Sequence, residues 1–426
     1  MRSNIIAVLD LGSSKIVCLI AKVASDSSLE IIGIGYNGAS GIHSGFITDI
    51  KKAEECIISA INSAEKMAGL TVDALTISIS GLRVYSKIVE VETNLDGKTI
   101  TNNLLSNIIR PEIPLPKEGE EENPKDKEER ENFQIIHSIP ISFSIDGYGN
   151  IQQPIGMSGN SLTAKIHLVG VHKTLLKNLE AFFSKNGINS ISFVNSAIAS
   201  AYACLNEDEK NLGAILLDIG SHQSDIVVYE NEMPKFVATV QIGGSIITRD
   251  IAKCLNLSIE QAERVKILYG EAIFSSEADN SNYINLNKEE DSDSEYETVI
   301  KKSVLINIIS ARVEEMIEVI FDKIKNNYDN HYNIQKVVLT GGGSFISGYR
   351  EIIKHNYGKA CRIAKPKIIE GISESLKTQN FSSAIGLVLF EYERISYNQH
   401  NKKRGYDRGN SGNLKKFLNW IKNTTN

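Results

Sequence analysis

One short plan occurs twice in this 426-residue chain: an apolar strand, a tight Asp-x-Gly-Ser turn, and a second strand. The first copy occupies residues 5–17 and the second occupies residues 214–228. Runs of β-branched and aliphatic residues that end in small or polar residues predict strands joined by turns. Matched aspartates in the two copies, Asp10 and Asp218, indicate a duplicated domain with a ligand between its halves. Two unrelated β-hairpins are the alternative explanation.

Stretches with helical periodicity follow the strands. Apolar residues recur at helical spacing in residues 50–67, which end before Gly69, and again in residues 304–324. Strands that alternate with helices predict an α/β fold. A chain of this length exceeds one ordinary hydrophobic core, so we expect two or more domains.

Composition narrows the functional class. The formal net charge of −6 argues against a nucleic-acid-binding protein. Five scattered cysteines with no CxxC pair suit reduced thiols in a cytoplasm. No apolar run reaches the ~18 residues of a membrane-spanning helix, and the first strand begins too early for a signal peptide. We therefore expect any membrane contact to be peripheral.

Three polar stretches interrupt the globular pattern. Residues 110–131 and 277–297 are rich in acidic residues, and residues 394–413 are polar with several glycines near the end. The first two are expected to be solvated loops or insertions, with partner-docking patches as the alternative. The third is expected to be a flexible linker.

The first turn has the chemistry of a phosphate-binding loop, although it is not a Walker A sequence. Gly12 lets backbone N–H groups approach an anion, Ser13 and Ser14 add hydroxyl donors, and Lys15 adds a positive charge. Asp10 at the strand end can hold Mg²⁺ through water. Such turns are common, so this motif alone is weak.

Two further motifs fit a nucleotide. A buried strand runs directly into Gly341, Gly342 and Gly343, which allow a flat adenosine to lie against bare backbone, although a strained structural turn would look the same. Glu263 and Lys266 stand three residues apart on a predicted helix, where they can contact the ribose and the base. An exposed ion pair is the alternative for this second motif.

In this order, the four motifs resemble those of the actin/DnaK/sugar-kinase superfamily. Within it, the chain resembles the cell division protein FtsA family over nearly its whole length. The residues that carry this resemblance are dispersed and colinear: 32–35, 45–49, 77–81, 154–159, 164–167, 199–202, 243–245, 248–252 and 383–387.

The resemblance implies an actin-like (ribonuclease H-like) duplicated two-lobe α/β fold around an ATP cleft. It further implies an FtsA-type extra subdomain and a C-terminal amphipathic helix. The expected divisions are subdomain IA (1–81, 165–200 and 366–393), IC (82–164), IIA (201–226 and 304–365), IIB (227–303), the linker (394–413) and the terminal helix (414–426).

The implied cofactors are ATP and Mg²⁺. Asp10 and Asp218 would hold the metal through water, and the nucleotide would be bound by Gly12, Ser13, Ser14, Lys15, Gly220, Ser221, His222, Glu263, Lys266, Gly341, Gly342 and Gly343.

The second turn departs from the family pattern, which has glycines where this chain has Ser221 and His222. A histidine there would crowd the phosphates if the position required a positive φ, whereas a charged imidazole would favour the anion. We therefore expect ATP binding with at most weak ATPase activity.

The end of the chain has the pattern of a membrane-surface helix. Leu414, Phe417, Leu418 and Ile421 form one apolar stripe, and Trp420 suits the headgroup region. The flanking cations are Lys415, Lys416 and Lys422. Such a helix is about 14 Å long against the ~30 Å hydrocarbon core, so it would lie on the membrane. From Asn398 onward the net charge is +6, which favours anionic lipid; docking on the chain's own core is the alternative.

By resemblance, the expected function is that of an ATP-binding protein that polymerises at the division site on the cytoplasmic side of the inner membrane. Its expected partners are the FtsZ tail peptide (through IIB), itself, anionic lipids and later division proteins, with no nucleic acid. A small-metabolite kinase of the same superfamily is the alternative, for which Asp225 is the nearest base. A DnaK-type chaperone would need a substrate domain, and a pilus-assembly relative would lack the basic terminal helix.

Overall fold

The computed structural model describes residues 4–43, 45–81, 84–110, 112–113, 123–274, 282–285 and 299–403. The elements of the first half are β1 Ile5–Leu11, β2 Lys15–Val23, β3 Leu29–Gly38, β4 Ile42–His43, β5 Phe46–Ile47, α1 Ile50–Ala68, β6 Ala74–Ile79, β7 Val84–Asn94, α2 Asn102–Ile108, α3 Pro124–Asn132, β8 Phe133–Ile145, β9 Tyr148–Ile151, β10 Ser161–His172, α4 Lys173–Lys185, β11 Ser190–Asn195, α5 Ser196–Cys204 and α6 Glu207–Leu212.

The elements of the second half are β12 Ala214–Ile219, β13 Ser224–Glu230, β14 Met233–Val240, α7 Gly244–Leu255, α8 Ile259–Tyr269, β15 Tyr283–Asn285, β16 Val299–Lys301, α9 Lys302–Lys325, β17 Lys336–Thr340, α10 Tyr349–Tyr357, β18 Ala360–Ile363 and α11 Ser382–Lys403. The predicted helices at 50–67 and 304–324 are confirmed as α1 and α9. Asp49 caps α1 by accepting from the backbone N–H groups of Lys51 and Lys52.

Two five-stranded sheets repeat one topology, which confirms the predicted duplication. Their strand orders are β3-β2-β1-β6-β11 and β14-β13-β12-β17-β18. In each sheet, an antiparallel meander precedes two parallel strands that are reached through helices. The register is matched as well, because Asp10 pairs with Ser78 and Asp218 pairs with Thr340. The fold is therefore α/β with two related lobes.

Helices α5 and α11 lie between the two sheets and join the lobes. Every residue of α5 is buried, and one continuous apolar core includes residues of both helices and of both sheets. The two helices approach closely at Gly386, where a Cβ atom would lie 1.8 Å from the backbone oxygen of Ala199. Glycine at this position is thus what allows the helices to cross at this distance.

A four-stranded antiparallel sheet, ordered β7-β10-β8-β9, is inserted into the first lobe. This sheet contacts β14 of the second lobe, and a buried histidine of its inner strand β10, His167, takes part in the contact. His167 donates from Nδ1 to the carbonyl oxygen of Pro234 at 2.8 Å, and its Nε2 accepts from Ser86 Oγ at 2.8 Å. Ser86 Oγ in turn accepts from the backbone N–H of Val237 at 3.0 Å. The inserted sheet therefore bridges the lobes.

Three of the predicted divisions fall within elements of the structure. The divisions after residues 164, 200 and 226 lie inside β10, α5 and β13, and the five-stranded sheet of the second lobe continues to Val240. The subdomain divisions stay predictions.

The predicted loops and linker are wrong in part. Pro124–Asn132 is helical, because Asn123 caps it and Pro124 suits a first helical turn. Tyr283–Asn285 pairs with Val299–Lys301, and Ile284 is buried. The helix α11 runs to Lys403, since residues 394–403 contain neither glycine nor proline. Residues 111, 114–122, 275–281, 286–298 and the terminal helix at 414–426 lie outside the described residues.

The helix crossing gives a stability prediction. Gly386→Ala should lower the free energy of unfolding by about 1–3 kcal/mol, because overpacking against a backbone atom outweighs the ~1 kcal/mol that alanine adds to a helix. Urea unfolding monitored by circular dichroism measures the effect. Gly149→Ala is the control, because a Cβ atom there meets nothing within 4 Å. Equal stability of both variants would contradict the close crossing.

Candidate functional site

The carboxylate of Asp10 lies at the end of β1, facing the junction of the lobes. It accepts hydrogen bonds from Ser78 Oγ at 2.6 Å and from Ser383 Oγ at 2.9 Å. Ser78 comes from the neighbouring strand β6, whereas Ser383 comes from the first turn of α11. The first aspartate is therefore positioned both by its own sheet and by the helix that follows the second lobe.

Asp218 has the matching position at the end of β12. Its Oδ2 accepts a hydrogen bond from Ser200 of α5, which belongs to the first lobe. Beside it, Gly341 has φ +85, and a Cβ atom there would lie 2.2 Å from Asp218 Oδ1. The first glycine of the predicted adenosine turn is thus required both by its conformation and by the carboxylate.

The two aspartates and Lys15 share one electrostatic environment. Burial raises the pKa of Asp218 to about 6, the hydrogen bond from Ser200 opposes this, and the charge of Asp10 adds to it. Burial lowers the pKa of Lys15 to about 8, against the attraction of both carboxylates. The Lys15 Nζ lies 3.9 Å from the centre of the Phe381 ring. Two partly compensated carboxylates facing one cation form a site suited to a divalent metal with an anionic ligand.

Glu263 and Lys266 lie on α8 as predicted, and they face α7. The Lys266 Nζ lies 2.7 Å from Glu263 Oε2, 2.8 Å from Thr248 Oγ1 and 3.1 Å from the carbonyl oxygen of Gly244. Thr248 also donates to Glu263. The pair is therefore fixed against the start of α7, unlike a freely solvated ion pair.

The glycine turns of the second lobe converge on the same place. The backbone N–H of Gly244 donates to the carbonyl oxygen of Gly220 at 2.9 Å. A Cβ atom on Gly244 would lie 3.6 Å from the Cα of Gly343, and one on Gly342 would lie 3.5 Å from Asn380. The second Asp-x-Gly-Ser turn (218–221), the start of α7 and the triple-glycine turn (341–343) thus form one wall.

His222 lies in the second turn without strain. It is not among the described non-glycine residues with positive φ, so the crowding expected from such a φ does not arise. Burial lowers its pKa, and His43 and Arg249 lower it further, so the ligand-free imidazole is not the charged group that the sequence alternative required. Its ring centre lies 4.4 Å from that of His43, edge to face.

A cleft of about 1040 Å³ opens beside this wall. It is lined by His43 of the first lobe and by residues of the second turn, α7 and α8, among them His222, Ser245, Thr248, Arg249 and Glu263. Within the part of the chain that the structure describes, no group of three or more His, Cys, Asp or Glu side chains could hold a metal ion. Any metal would therefore rely on water or on a ligand's own oxygens.

Buried polar atoms at the site fit an anionic ligand with hydrated metal. Three of them find no hydrogen-bond partner among the described residues: His222 Nδ1, Gln223 Oε1 and Ser245 Oγ. Gln223 is oriented by its amide nitrogen, which donates to Ser80 of the first lobe. Buried groups of this kind are normally satisfied, so their clustering points to a bound ligand.

The structure brings most predicted site residues together. Gly12, Ser13 and Ser14 form the turn between β1 and β2, and Ser14 is exposed. Gly220 and Ser221 contact the start of α7 through their carbonyl oxygens. The residues at 414–422 that are predicted to bind the membrane lie outside the described part of the chain.

Other site residues were not predicted from the sequence. His43, Thr248, Arg249, Ser200 and Ser383 reach the site only through tertiary structure. A glycine pair followed by Ser245, directly before a helical pattern, was the one available signal for the start of α7. No helix in the described residues has the length and apolar character needed to cross a bilayer.

Family models match two parts of the chain. The model described as "Cell division protein FtsA" matches residues 215–386, and "SHS2 domain inserted in FTSA" matches residues 81–170. The FtsA protein of Rhizobium meliloti is 31% identical over 399 residues, covering 91% of this chain and 87% of that protein. That of Borreliella burgdorferi is 30% identical over 408 residues, covering 94% of each.

Solved structures share the fold at low sequence identity. The "PilM-PilN type IV pilus biogenesis complex" matches with a TM-score of 0.58 and 14% identity, over 90% of this chain and 97% of that chain. MreB5 of Spiroplasma citri bound to ADP matches with a TM-score of 0.55 and 13% identity, over 94% of this chain and 100% of that one.

The duplicated sheets and the cleft between them define a protein of the actin-like ATPase fold. The inserted sheet narrows the family within this fold, because it occupies residues that match the model of the SHS2 domain inserted in FtsA. The chain belongs to the cell division protein FtsA family. The predicted fold class and family are confirmed, with the terminal helix outside the described residues.

A pH prediction follows from Asp225, which pairs with Asp218 across β12 and β13. Burial raises its pKa to about 7, although Thr239 Oγ1 donates to it at 2.6 Å. Its folded pKa exceeds the unfolded value, so its ionisation destabilises the fold as pH rises from about 4 to about 7. Asp225→Asn should therefore gain stability relative to wild type, by about 2 kcal/mol more at pH 8 than at pH 5.

Urea unfolding at the two pH values measures this difference. The exposed Asp322→Asn on α9 is the matched control and should show no such change. A pH-independent effect of Asp225→Asn would contradict the burial of an uncharged carboxyl group.

Proposed function

We propose that this protein binds ATP with Mg²⁺, polymerises on the cytoplasmic face of the inner membrane at the division site, and tethers FtsZ there. Its family membership, together with the Asp10, Asp218 and Lys15 cluster at the ends of the matched strands, supports this proposal. Its partners would be the FtsZ tail peptide, other copies of itself, anionic lipids and later division proteins.

The nucleotide would lie between the lobes. Lys15, the turn at Gly12, Ser13 and Ser14, and the second turn at Gly220, Ser221 and His222 would bind the phosphates. Gln223 Oε1 is an acceptor, so it would instead take a hydrogen bond from a metal-bound water. Asp10 and Asp218 would hold Mg²⁺ through water, which suits an ion that retains most of its hydration. The actin-like MreB5 structure contains ADP, which supports a nucleotide in this fold.

The glycine wall and α8 would bind the nucleoside. Glu263 presents a carboxylate that is 44% exposed at its side chain and can accept from ribose hydroxyls. Gly341, Gly342 and Gly343 leave backbone bare for the adenosine. Because Ser200 and Ser383 connect the two phosphate turns to α5 and α11, we propose that ATP acts mainly as a conformational ligand between the lobes, with at most weak hydrolysis.

The tether would be the helix at 414–422, with its apolar stripe in the interface and its lysines near anionic headgroups. A single helix this short binds weakly, so polymerisation would strengthen attachment by avidity. The region beyond β14, within the predicted IIB range of 227–303, would bind FtsZ.

The kinase alternative has less support. It needs a base that can reach a substrate hydroxyl, and Asp225 is 7% exposed with its carboxylate engaged by Thr239. Phosphorylation of a small metabolite by the purified protein would favour this alternative.

Nucleotide binding can be tested at Lys15. Lys15→Ala should weaken ATP·Mg²⁺ binding by about tenfold or more, because a charge-assisted contact to phosphate is removed. Titration with a fluorescent ATP analogue measures the affinity. Lys22→Ala is the matched control, since Lys22 lies on the same strand and is exposed. Unchanged affinity of Lys15→Ala would remove the first turn from the site.

Membrane tethering can be tested by co-sedimentation with anionic liposomes, with and without FtsZ. Leu418→Glu should abolish sedimentation of this protein and of FtsZ, because it places a charge in the apolar stripe. Asn419→Glu adds the same charge off the stripe and should retain most binding. If full-length protein leaves FtsZ in solution, or if deletion of residues 414–426 changes nothing, the tether proposal fails.

A further inference from the structure

His43 and His222 come from different lobes and meet at the edge of the cleft. His43 ends the short strand β4 of the first lobe, and His222 lies in the second turn between β12 and β13. Their ring centres are 4.4 Å apart with an interplanar angle of 67°. An edge-to-face contact of this kind directs a polar ring edge toward a neighbouring face. Both side chains line the 1040 Å³ cleft.

One ring nitrogen of His222 is buried without a hydrogen-bond partner in the part of the chain that the structure describes. Its Nδ1 is buried and has no hydrogen-bond partner among the described residues, and the same is true of Ser245 Oγ at the start of α7. Buried polar atoms are almost always satisfied in a working complex. A ligand that supplies acceptor oxygens at this point would pair both atoms.

His222 has one cation, Arg249 of α7, close enough to affect its pKa, together with His43 of the β4–β5 hairpin. The cleft that it lines also contains Glu260, Glu263 and Arg264 of α8. Glu263 is already paired with Lys266 and Thr248. Burial is the largest cause that lowers the pKa of His222, and His43 and Arg249 lower it further. A phosphate chain would reverse that effect, because it places negative charge beside the same nitrogen.

We infer that His43 and His222 form an interlobe phosphate-binding pair, in which His222 gains a proton when the polyphosphate chain of a nucleotide enters the cleft. This inference rests on the proposed nucleotide binding and goes beyond it by making the affinity depend on pH. Binding and protonation are linked, so a ligand that raises the pKa of His222 must bind more tightly when the proton is available.

The pair also explains why a bulky residue is tolerated where the family pattern has glycine. His222 does not need a positive φ, and its ring occupies space beside His43 that would otherwise be open cleft. The phosphate chain is thus contacted by a side chain from each lobe, in addition to the backbone of the turns.

The test is isothermal titration calorimetry of the full-length protein with ADP·Mg²⁺ and with a non-hydrolysable ATP analogue, in buffers of different ionisation enthalpy. Wild-type protein should bind about fivefold more tightly at about pH 6 than at about pH 8, with net proton uptake. His222→Gly should lose that proton uptake and, with it, the tighter binding at about pH 6. His43→Gln should weaken binding at about pH 6 by about threefold or more.

His355→Gln on the exposed face of α10 is the matched control and should behave as wild type, since protonation of the nucleotide itself is common to all variants. His222→Gln provides a second variant should the glycine destabilise the turn. Retention of wild-type proton uptake in both His222 variants, or unchanged affinity in His43→Gln, would overturn the pair while leaving nucleotide binding intact. Absence of nucleotide binding by wild type at either pH would overturn the proposed function together with this inference.

Discussion

The crossing of α5 and α11 is the contact on which the rest of the molecule depends. It is close because Gly386 has no side chain, and it lies between two sheets whose apolar faces both pack on these helices. The same two helices carry Ser200 and Ser383, and each serine holds the aspartate of a phosphate turn. The geometry of the cleft floor is therefore set by helix packing as well as by the turns themselves. Shifting one helix along the other would move a hydroxyl away from a buried carboxylate.

Each of the two aspartates accepts a hydrogen bond from a serine on one of the two crossing helices. Ser200 belongs to the first half of the chain and contacts Asp218 of the second, whereas Ser383 follows the second half and contacts Asp10 of the first. Burying two carboxylates near each other is unfavourable, as the raised pKa of Asp218 reflects, so hydroxyl donors and Lys15 are needed to compensate. A divalent cation between the lobes would complete this compensation. The electrostatics of these two carboxylates and Lys15 thus favour the cofactor that we propose.

The parts of the candidate site that the sequence predicts are those formed by residues close together in the chain. The two Asp-x-Gly-Ser turns, the triple glycine and the α8 pair could be found because glycines and strand ends mark them, and all of them converge in the structure. His43 has no local sequence signal of this kind. Arg249 lies in the stretch 248–252 that carries the family resemblance, but nothing there marks it as a site residue. The divisions predicted after residues 164, 200 and 226 fall inside β10, α5 and β13, because a local pattern does not show where a strand or helix ends. The continuation of α11 to Lys403 is not predicted from polarity alone, although residues 394–403 contain neither glycine nor proline.

The bridge between the inserted sheet and β14 has a mechanical consequence. Because burial lowers the pKa of His167 to about 4, the ring stays neutral, and its two nitrogens keep one donor and one acceptor role at neutral pH. The lobes are consequently joined by the contact of Ser86, His167 and Pro234 as well as by the helix crossing. Any opening of the cleft must either break this hydrogen-bonded contact or rotate about it. The contact between the inserted sheet and β14 thus restricts the directions in which the two lobes can move relative to each other.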